Sequence, residues 1–156
     1  MSKNNKITPE GTRDLLFEVC RARRKVEERL RCLFENRGFQ EVMTPQVEFY
    51  DVFSSASRYF PQESLYKSMD TKGRLLVIRP DGTIPIARLC ATKLRHHLLP
   101  IRLYYNQNIY RMNPLMNGSP HEIMQMGVEL LGAAEGRADL EMLSLSAQCL
   151  KENSGE

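Results

Sequence analysis

The segment 122–131 alternates as a β-strand and places an amide and a carboxylate on one face. Gln125, Gly127 and Glu129 share that face, because successive strand side chains point to opposite sides. A buried amide and carboxylate need partners, and a glycine between them leaves room for another group to approach closely. The pattern therefore predicts a ligand on this face. The opposite face carries the predicted core residues Met124, Met126, Val128 and Leu130.

Three further polar residues are predicted to join this face. The strand 101–112 is expected to pair antiparallel with 122–131, which could bring Arg111 beside Gln125 and Glu129. The segment Arg-Pro-Asp-Gly-Thr at 79–83 leaves a strand and enters a helix, where Thr83 could cap the helix while Asp81 projects from the turn. Along the first strand, one face is shared by Tyr105, Gln107, Ile109 and Arg111.

Two acids, a guanidinium, an amide and a hydroxyl suit a zwitterionic ligand. Arginine offers a planar fork for a carboxylate, and carboxylates suit an ammonium group or a donating imidazole. An amino acid is therefore a reasonable ligand. The alternative is that Arg111 bridges Glu129 in an unliganded interior and that Asp81 only stabilises its turn. The residue pattern alone leaves both interpretations open.

The predicted elements supply the scaffold for these residues. Apolar spacing predicts an amphipathic helix over 14–37, which ends before Gly38. A short strand over 39–44 is expected to stop at Pro45, because proline cannot donate to a strand ladder. The remaining predictions are a loop at 54–63, a hairpin of 65–69 with 75–78, and helices over 83–94 and 137–150.

Length and composition are typical of one soluble globular domain. The 156 residues are 42% hydrophobic and 26% charged, and they include no apolar run of membrane-spanning length. The start lacks the apolar segment of a signal peptide, so a cytoplasmic protein is expected. A net charge of +3 is too weak to indicate nucleic-acid binding. Four scattered cysteines without a Cys-x-x-Cys pair argue against a zinc site, and no metal or cofactor is predicted.

Five ordered segments resemble the catalytic domain of the class II histidyl-tRNA synthetase family. They are Thr-Pro-Glu-Gly-Thr-Arg-Asp at 8–14, Gly-Phe-Gln-Glu-Val-Met-Thr-Pro at 38–45, Arg-Pro-Asp-Gly-Thr at 79–83, Tyr-Arg at 110–111 and Gln-Met-Gly-Val-Glu at 125–129. The resemblance implies an α+β fold in which helices flank an antiparallel sheet, as a single domain over 1–156 without the third class II motif. It also implies a histidine-contacting set: Asp81, Thr83, Arg111, Gln125 and Glu129.

Departures from the synthetase pattern point away from tRNA charging. Synthetases of this family usually carry an acidic residue where this chain has Asn113, and they place arginine in the following loop, whereas 118–122 has none. Adenylate chemistry develops charge on phosphate, so the loss of these groups makes histidine activation and tRNA recognition unexpected. The opening motif, Asp81 and the segment Leu-Tyr-Tyr-Asn-Gln at 103–107 are similar to the synthetase paralogues that regulate ATP phosphoribosyltransferase.

That paralogous family implies a subunit without catalysis of its own. It would bind histidine, form a homodimer within a hetero-oligomer, and associate with the short-form catalytic subunit of ATP phosphoribosyltransferase. Family members are longer, so the chain is expected to be an amino-terminal portion or a shortened relative. Two alternatives stay open: a fragment of histidyl-tRNA synthetase, and a protein that only dimerises through the first helix and the strand before Pro45.

Overall fold

The computed structural model describes residues 3–54, 59–112, 118–133 and 136–153. The order of elements alternates helices with short strands before two long strands and a final helix. The helices are α1 (Phe17–Asn36), α2 (Tyr50–Ser54), α3 (Thr83–Thr92) and α4 (Arg137–Asn153). The strands are β1 (Gln40–Glu41), β2 (Val47–Phe49), β3 (Lys67–Met69), β4 (Leu75–Ile78), β5 (Ile101–Tyr110) and β6 (Glu122–Leu131). Contacts divide the chain into two compact units.

The first unit contains residues 1–15, 43–95 and 107–125. Its sheet has the strand order β2-β4-β3 with antiparallel pairing throughout. The predicted hairpin is confirmed as β3 and β4, because Asp70 and Gly73 close the turn between them through a 3.0 Å backbone hydrogen bond. Strand β2 and helix α2 lie where the sequence pattern predicted no element. The core is formed by Phe53, Leu65 and Val77.

The second unit contains residues 16–42, 96–106 and 126–156. Helices α1 and α4 pack together here, and apolar side chains of β6 pack against the same core. Met126, Val128 and Leu130 are among them, so these three residues of the predicted core face are confirmed. The buried members of the core are Leu33, Phe34, Phe39, Tyr104 and Leu145.

Helix α1 and strand β1 are shorter than predicted. Helix α1 begins at Phe17 rather than at residue 14, because Leu16 has an extended backbone with φ of −122° and ψ of 149°. The predicted strand over 39–44 is reduced to the two residues of β1, which pair with Leu103 and Tyr104 in a parallel direction. The second sheet is therefore mixed rather than wholly antiparallel.

Strands β5 and β6 form the long hairpin that the alternation predicted, and β6 has the predicted bounds. The sheet order is β1-β5-β6, so β6 is an edge strand among the strands that the structure describes. Every residue of β6 is half-buried, whereas β5 alternates between buried and half-buried along most of its length. The mixed α+β architecture agrees with the predicted fold class. The single-domain boundary stays a prediction.

Within the described ranges, none of the helices combines the length and apolarity needed to cross a membrane.

Candidate ligand-binding site

The turn between β4 and α3 is held in place by Arg79. The Arg79 side chain is buried, and its guanidinium donates to the carbonyl oxygens of Thr44 and Asn108, each at 2.7 Å. The backbone N–H of Tyr110 donates to the Arg79 carbonyl at 3.0 Å. Burial lowers the pKa of the Arg79 guanidinium, since removal from water disfavours its charged form. The turn that follows Arg79 is thus fixed to β5 by both backbone and side chain.

Asp81 caps helix α3. Its Oδ1 accepts hydrogen bonds from the backbone N–H groups of Thr83 at 2.8 Å and Ile84 at 3.3 Å. These are two of the N–H groups that a helix leaves without intrahelical partners. The prediction that Thr83 caps the helix is therefore wrong: Thr83 is the first helical residue and is exposed, while Asp81, two residues earlier, supplies the acceptor.

Arg111 approaches Asp81 from the end of β5. Its Nη2 lies 3.6 Å from Oδ2 of Asp81, and its Nε donates to the Pro80 carbonyl at 2.7 Å. The guanidinium carbon also lies 5.6 Å from the centre of the Phe60 ring, which favours a cation. The Arg111 side chain is 42% exposed and that of Asp81 is 15% exposed. A guanidinium held in this way still presents part of its surface to a ligand.

Gln125 reaches the same turn from β6. Its Oε1 accepts a hydrogen bond from the backbone N–H of Gly82 at 3.2 Å. Three of the predicted site residues, Asp81, Arg111 and Gln125, therefore converge on the turn 80–82 within one compact unit. The unliganded interpretation, in which Asp81 only stabilises its turn, accounts for the cap, and the role of the three side chains in ligand binding stays a prediction.

Glu129 belongs to the second compact unit, although it lies on the same strand as Gln125. Its position relative to Asp81 and Arg111 stays a prediction, as does the role of the exposed Thr83 side chain.

The structure explains the glycine at position 127 differently from the prediction. A Cβ atom at this position would lie 2.5 Å from the hydroxyl oxygen and 2.6 Å from Cζ of Tyr105. The space above Gly127 is therefore filled by the Tyr105 ring, which is 3% exposed, and not by a ligand. The predicted close approach is correct, but its partner is a protein side chain.

Two polar residues of this region were not predicted as site residues. Gln107 and Thr44 are each 8% exposed, and Thr44 Oγ1 donates to Gln107 Oε1 at 3.2 Å. An amide inside the apolar alternation of β5 was the available signal. Their contact joins positions 63 residues apart, which no local pattern encodes.

His121 connects the amino-terminal segment to the start of β6. Its backbone N–H donates to the Gly11 carbonyl at 2.8 Å, and its Nδ1 lies 2.8 Å from the Tyr66 hydroxyl. A Cβ at Gly11, where φ is +70°, would collide with the His121 ring. Burial, with a smaller contribution from the Glu10 charge, raises the pKa of Tyr66. The segment 8–14 thus packs against His121 at Gly11.

The cluster offers recognition groups of both charges. A carboxylate and a guanidinium that share one turn can bind the ammonium and carboxylate of an amino acid. In the described part of the chain, no three His, Cys, Asp or Glu side chains converge in a way that could hold a metal ion. Asn113, which departs from the synthetase pattern, lies outside the described residues.

Comparisons with known proteins identify the family. The family model described as histidyl-tRNA synthetase matches residues 11–155. The chain is 44% identical over 151 residues to an ATP phosphoribosyltransferase regulatory subunit of Ruminiclostridium cellulolyticum, covering 97% of this chain and 36% of that protein. It is 48% identical over 138 residues to one of Clostridium acetobutylicum, covering 88% of this chain and 34% of that protein.

Solved structures share the fold. An ATP phosphoribosyltransferase regulatory subunit/histidyl-tRNA synthetase from Bacillus halodurans superimposes with a TM-score of 0.84 at 35% identity, covering 93% of this chain and 37% of that chain. Apo histidyl-tRNA synthetase from S. aureus superimposes with a TM-score of 0.80 at 27% identity, covering 95% of this chain and 35% of the other. The chain thus spans little more than a third of the length of these relatives.

Proposed function

This chain belongs to the histidyl-tRNA synthetase family, and from that premise we propose that it is a non-catalytic regulatory subunit of ATP phosphoribosyltransferase that binds histidine. The observation that carries the proposal is the convergence of Asp81, Arg111 and Gln125 on one turn. The identities of 44% and 48% to proteins named as such regulatory subunits support the choice within the family.

The geometry suits the main-chain groups of an amino acid. Arg111 would bind the carboxylate, because a guanidinium donates two parallel hydrogen bonds to a carboxylate. Asp81 would accept from the ammonium group through Oδ2, since Oδ1 is engaged with helix α3. Glu129 and Gln125 complete the proposed set, with Glu129 accepting from an N–H group of the ligand, and Thr83 joins it as the first residue of the helix.

Regulation would follow from differential binding. A ligand shifts an equilibrium between two assembly states only if it binds one of them better than the other. We propose that histidine, the end product, does this in a homodimer within a hetero-oligomer that also contains the short-form catalytic subunit. The proposal includes a cytoplasmic location, no cofactor and no tRNA substrate.

A second candidate is histidine activation by ATP, as in a histidyl-tRNA synthetase. The match to the S. aureus synthetase favours it, since that enzyme has the same fold at 27% identity. The loop residues 118–122 without arginine argue against it, because the transition state needs cations near the phosphates. Histidine-dependent exchange of pyrophosphate into ATP distinguishes the two: exchange supports the synthetase, and its absence with histidine bound supports the regulatory subunit.

The primary test is calorimetric titration of the purified 156-residue chain with histidine. We expect binding that is weakened by Arg111→Gln, which removes the charge. The matched control is Arg74→Gln, because Arg74 is a half-exposed arginine that pairs with Asp70 at the hairpin turn between β3 and β4. Absence of histidine binding by the folded wild-type chain would refute the proposal.

A further inference from the structure

Gln107 carries a buried hydrogen-bond donor that no atom of the described residues satisfies. The residue is 8% exposed, and within the described part of the chain its Nε2 has no hydrogen-bond partner. Buried polar atoms of native proteins are almost always paired, so an orphaned donor requires a physical explanation. One explanation is a ligand atom that completes the pair.

The other end of the same amide is fixed. Thr44 Oγ1 donates to Gln107 Oε1 at 3.2 Å, and Thr44 is itself 8% exposed. The carbonyl of Thr44 accepts from the guanidinium of Arg79 at 2.7 Å, so the threonine is held on its backbone side as well. Because Oε1 already accepts a hydrogen bond from Thr44, the Gln107 donor still available to a ligand is Nε2.

The strand register places Gln107 beside the candidate site. The backbone N–H of Arg111 donates to the carbonyl of His121 at 2.9 Å, which sets residue 111 opposite residue 121 in the antiparallel hairpin. The same register sets Gln107 opposite Gln125, whose Oε1 accepts from Gly82. Directly opposite residues have Cβ atoms about 4.5–5.5 Å apart. Gln107 therefore borders the site formed by Asp81, Arg111 and Gln125.

The three groups differ in their exposure to solvent. The side chain of Arg111 is 42% exposed and that of Asp81 is 15% exposed, whereas Gln107 as a whole residue is 8% exposed. The charged groups are thus more exposed than the orphaned amide. An amino acid whose main-chain groups meet Arg111 and Asp81 would direct its side chain toward Gln107.

A neutral imidazole has one N–H donor and one acceptor nitrogen. We infer that Gln107 Nε2 donates a hydrogen bond to the acceptor nitrogen of the bound imidazole and so discriminates histidine from other amino acids, an inference that rests on the proposed function. The predicted histidine-contacting set does not include Gln107, although the strand alternation placed it on the same face as Arg111. Thr44 is then a positioning residue, because it acts through the amide and not on the ligand.

The test uses two ligands and the full chain. Histidine is compared by calorimetry with 3-(2-thienyl)alanine, whose five-membered ring has a similar size but no nitrogen. Gln107→Met removes the donor at similar volume, and we expect it to weaken histidine binding about ten-fold while thienylalanine binding changes little. Gln107→Leu also removes the donor without adding a charge, and should weaken histidine by a similar factor. Gln46→Met, at an exposed glutamine, is the control with unchanged affinities.

Each outcome is decisive. Wild-type preference for histidine that survives in both Gln107 variants overturns the inference and leaves the proposed function intact. Equal weakening of both ligands overturns it too, because that result indicates a purely structural role. Failure of both variants to fold also overturns the inference, since it would show that the unliganded fold itself needs the Gln107 side chain. A wild-type chain that binds no histidine refutes the proposed function and this inference together.

Discussion

The guanidinium of Arg111 lies 3.6 Å from the carboxylate of Asp81, and the same carboxylate caps helix α3. One oxygen of Asp81 serves the helix and the other faces the cation. A single side chain thereby couples the start of a helix to the orientation of an arginine at the end of a strand. The two roles can be separated by substitution, because the cap needs an acceptor atom and the ion pair needs a charge.

Asp81→Asn should weaken histidine binding with little loss of stability. Asparagine keeps an oxygen that can cap the helix, so we expect the free energy of unfolding to change by about 0.5 kcal/mol or less. Loss of the charge should cost about 2 kcal/mol or more in binding. Urea unfolding and calorimetry measure the two quantities. Asp81→Ala is the comparison, since it removes the cap as well, and equal histidine affinity in Asp81→Asn and wild type would contradict the assignment.

Gly127→Ala should destabilise the protein although it adds only one methyl group. The new Cβ would lie 2.5 Å from the Tyr105 hydroxyl oxygen, and displacement of a buried ring costs about 1–3 kcal/mol. The matched control is Gly136→Ala, because no atom lies within 4 Å of a Cβ at that position. Urea unfolding should show a lower midpoint for the first variant alone. Combination with Tyr105→Ala should remove part of the added cost, and strict additivity would argue against the contact.

Arg79→Lys should lower the free energy of unfolding although it keeps the positive charge. The guanidinium donates to two carbonyl groups, and a lysine ammonium cannot reproduce that planar arrangement in a buried position. We expect a loss of about 1–3 kcal/mol in the free energy of unfolding. Arg74→Lys is the control, because the Arg74 side chain is 56% exposed and surface ion pairs contribute at most about 1 kcal/mol. Similar losses in the two variants would show that burial of Arg79 does not matter.

The ion pair of Arg102 with Glu141 should make stability depend on pH in the acid range. Arg102 donates to both carboxylate oxygens, at 2.6 and 2.9 Å, and this contact lowers the pKa of Glu141 below its ordinary value of 4.5. A depressed carboxyl pKa contributes stability above pH 4.5, and the contribution is lost as the pH falls through the folded-state value. The melting temperatures of wild type and Glu141→Gln should therefore differ at pH 7 and converge toward pH 3. A difference that persists at low pH would exclude this carboxylate as its source.

Local patterns predicted the long elements well. The alternation of 122–131 defined β6 with correct bounds, and the turn residues Asp70 and Gly73 marked the hairpin of β3 and β4. The sequence pattern did not predict strand β2, because the strand has only three residues. Its central residue, Glu48, is buried and forms a 2.6 Å ion pair with Arg88, 40 residues away. Such a carboxylate has the sequence signature of a surface residue.

The convergence of part of the candidate set was predictable from the sequence, whereas the histidine-binding role of its five members stays a prediction. Residue types and register were sufficient to bring Arg111 and Gln125 toward Asp81. The exchange of capping roles between Thr83 and Asp81 depends on backbone angles at Gly82 that the residue types do not determine. The contacts of Tyr105 with Gly127 and of Thr44 with Gln107 depend on tertiary packing, so no spacing rule could have identified them.

Strand β6 leaves one long side of its backbone without a neighbouring strand in the described portion of the chain, and every one of its residues is half-buried. Alternate residues of an edge strand direct their backbone N–H and C=O groups away from the partner strand, and these groups act as a template for another strand, in a second molecule or in added polypeptide. Self-association through that edge would grow with concentration and compete with ligand measurements. Light scattering across a dilution series would detect it, and a charged side chain introduced along β6 would suppress it.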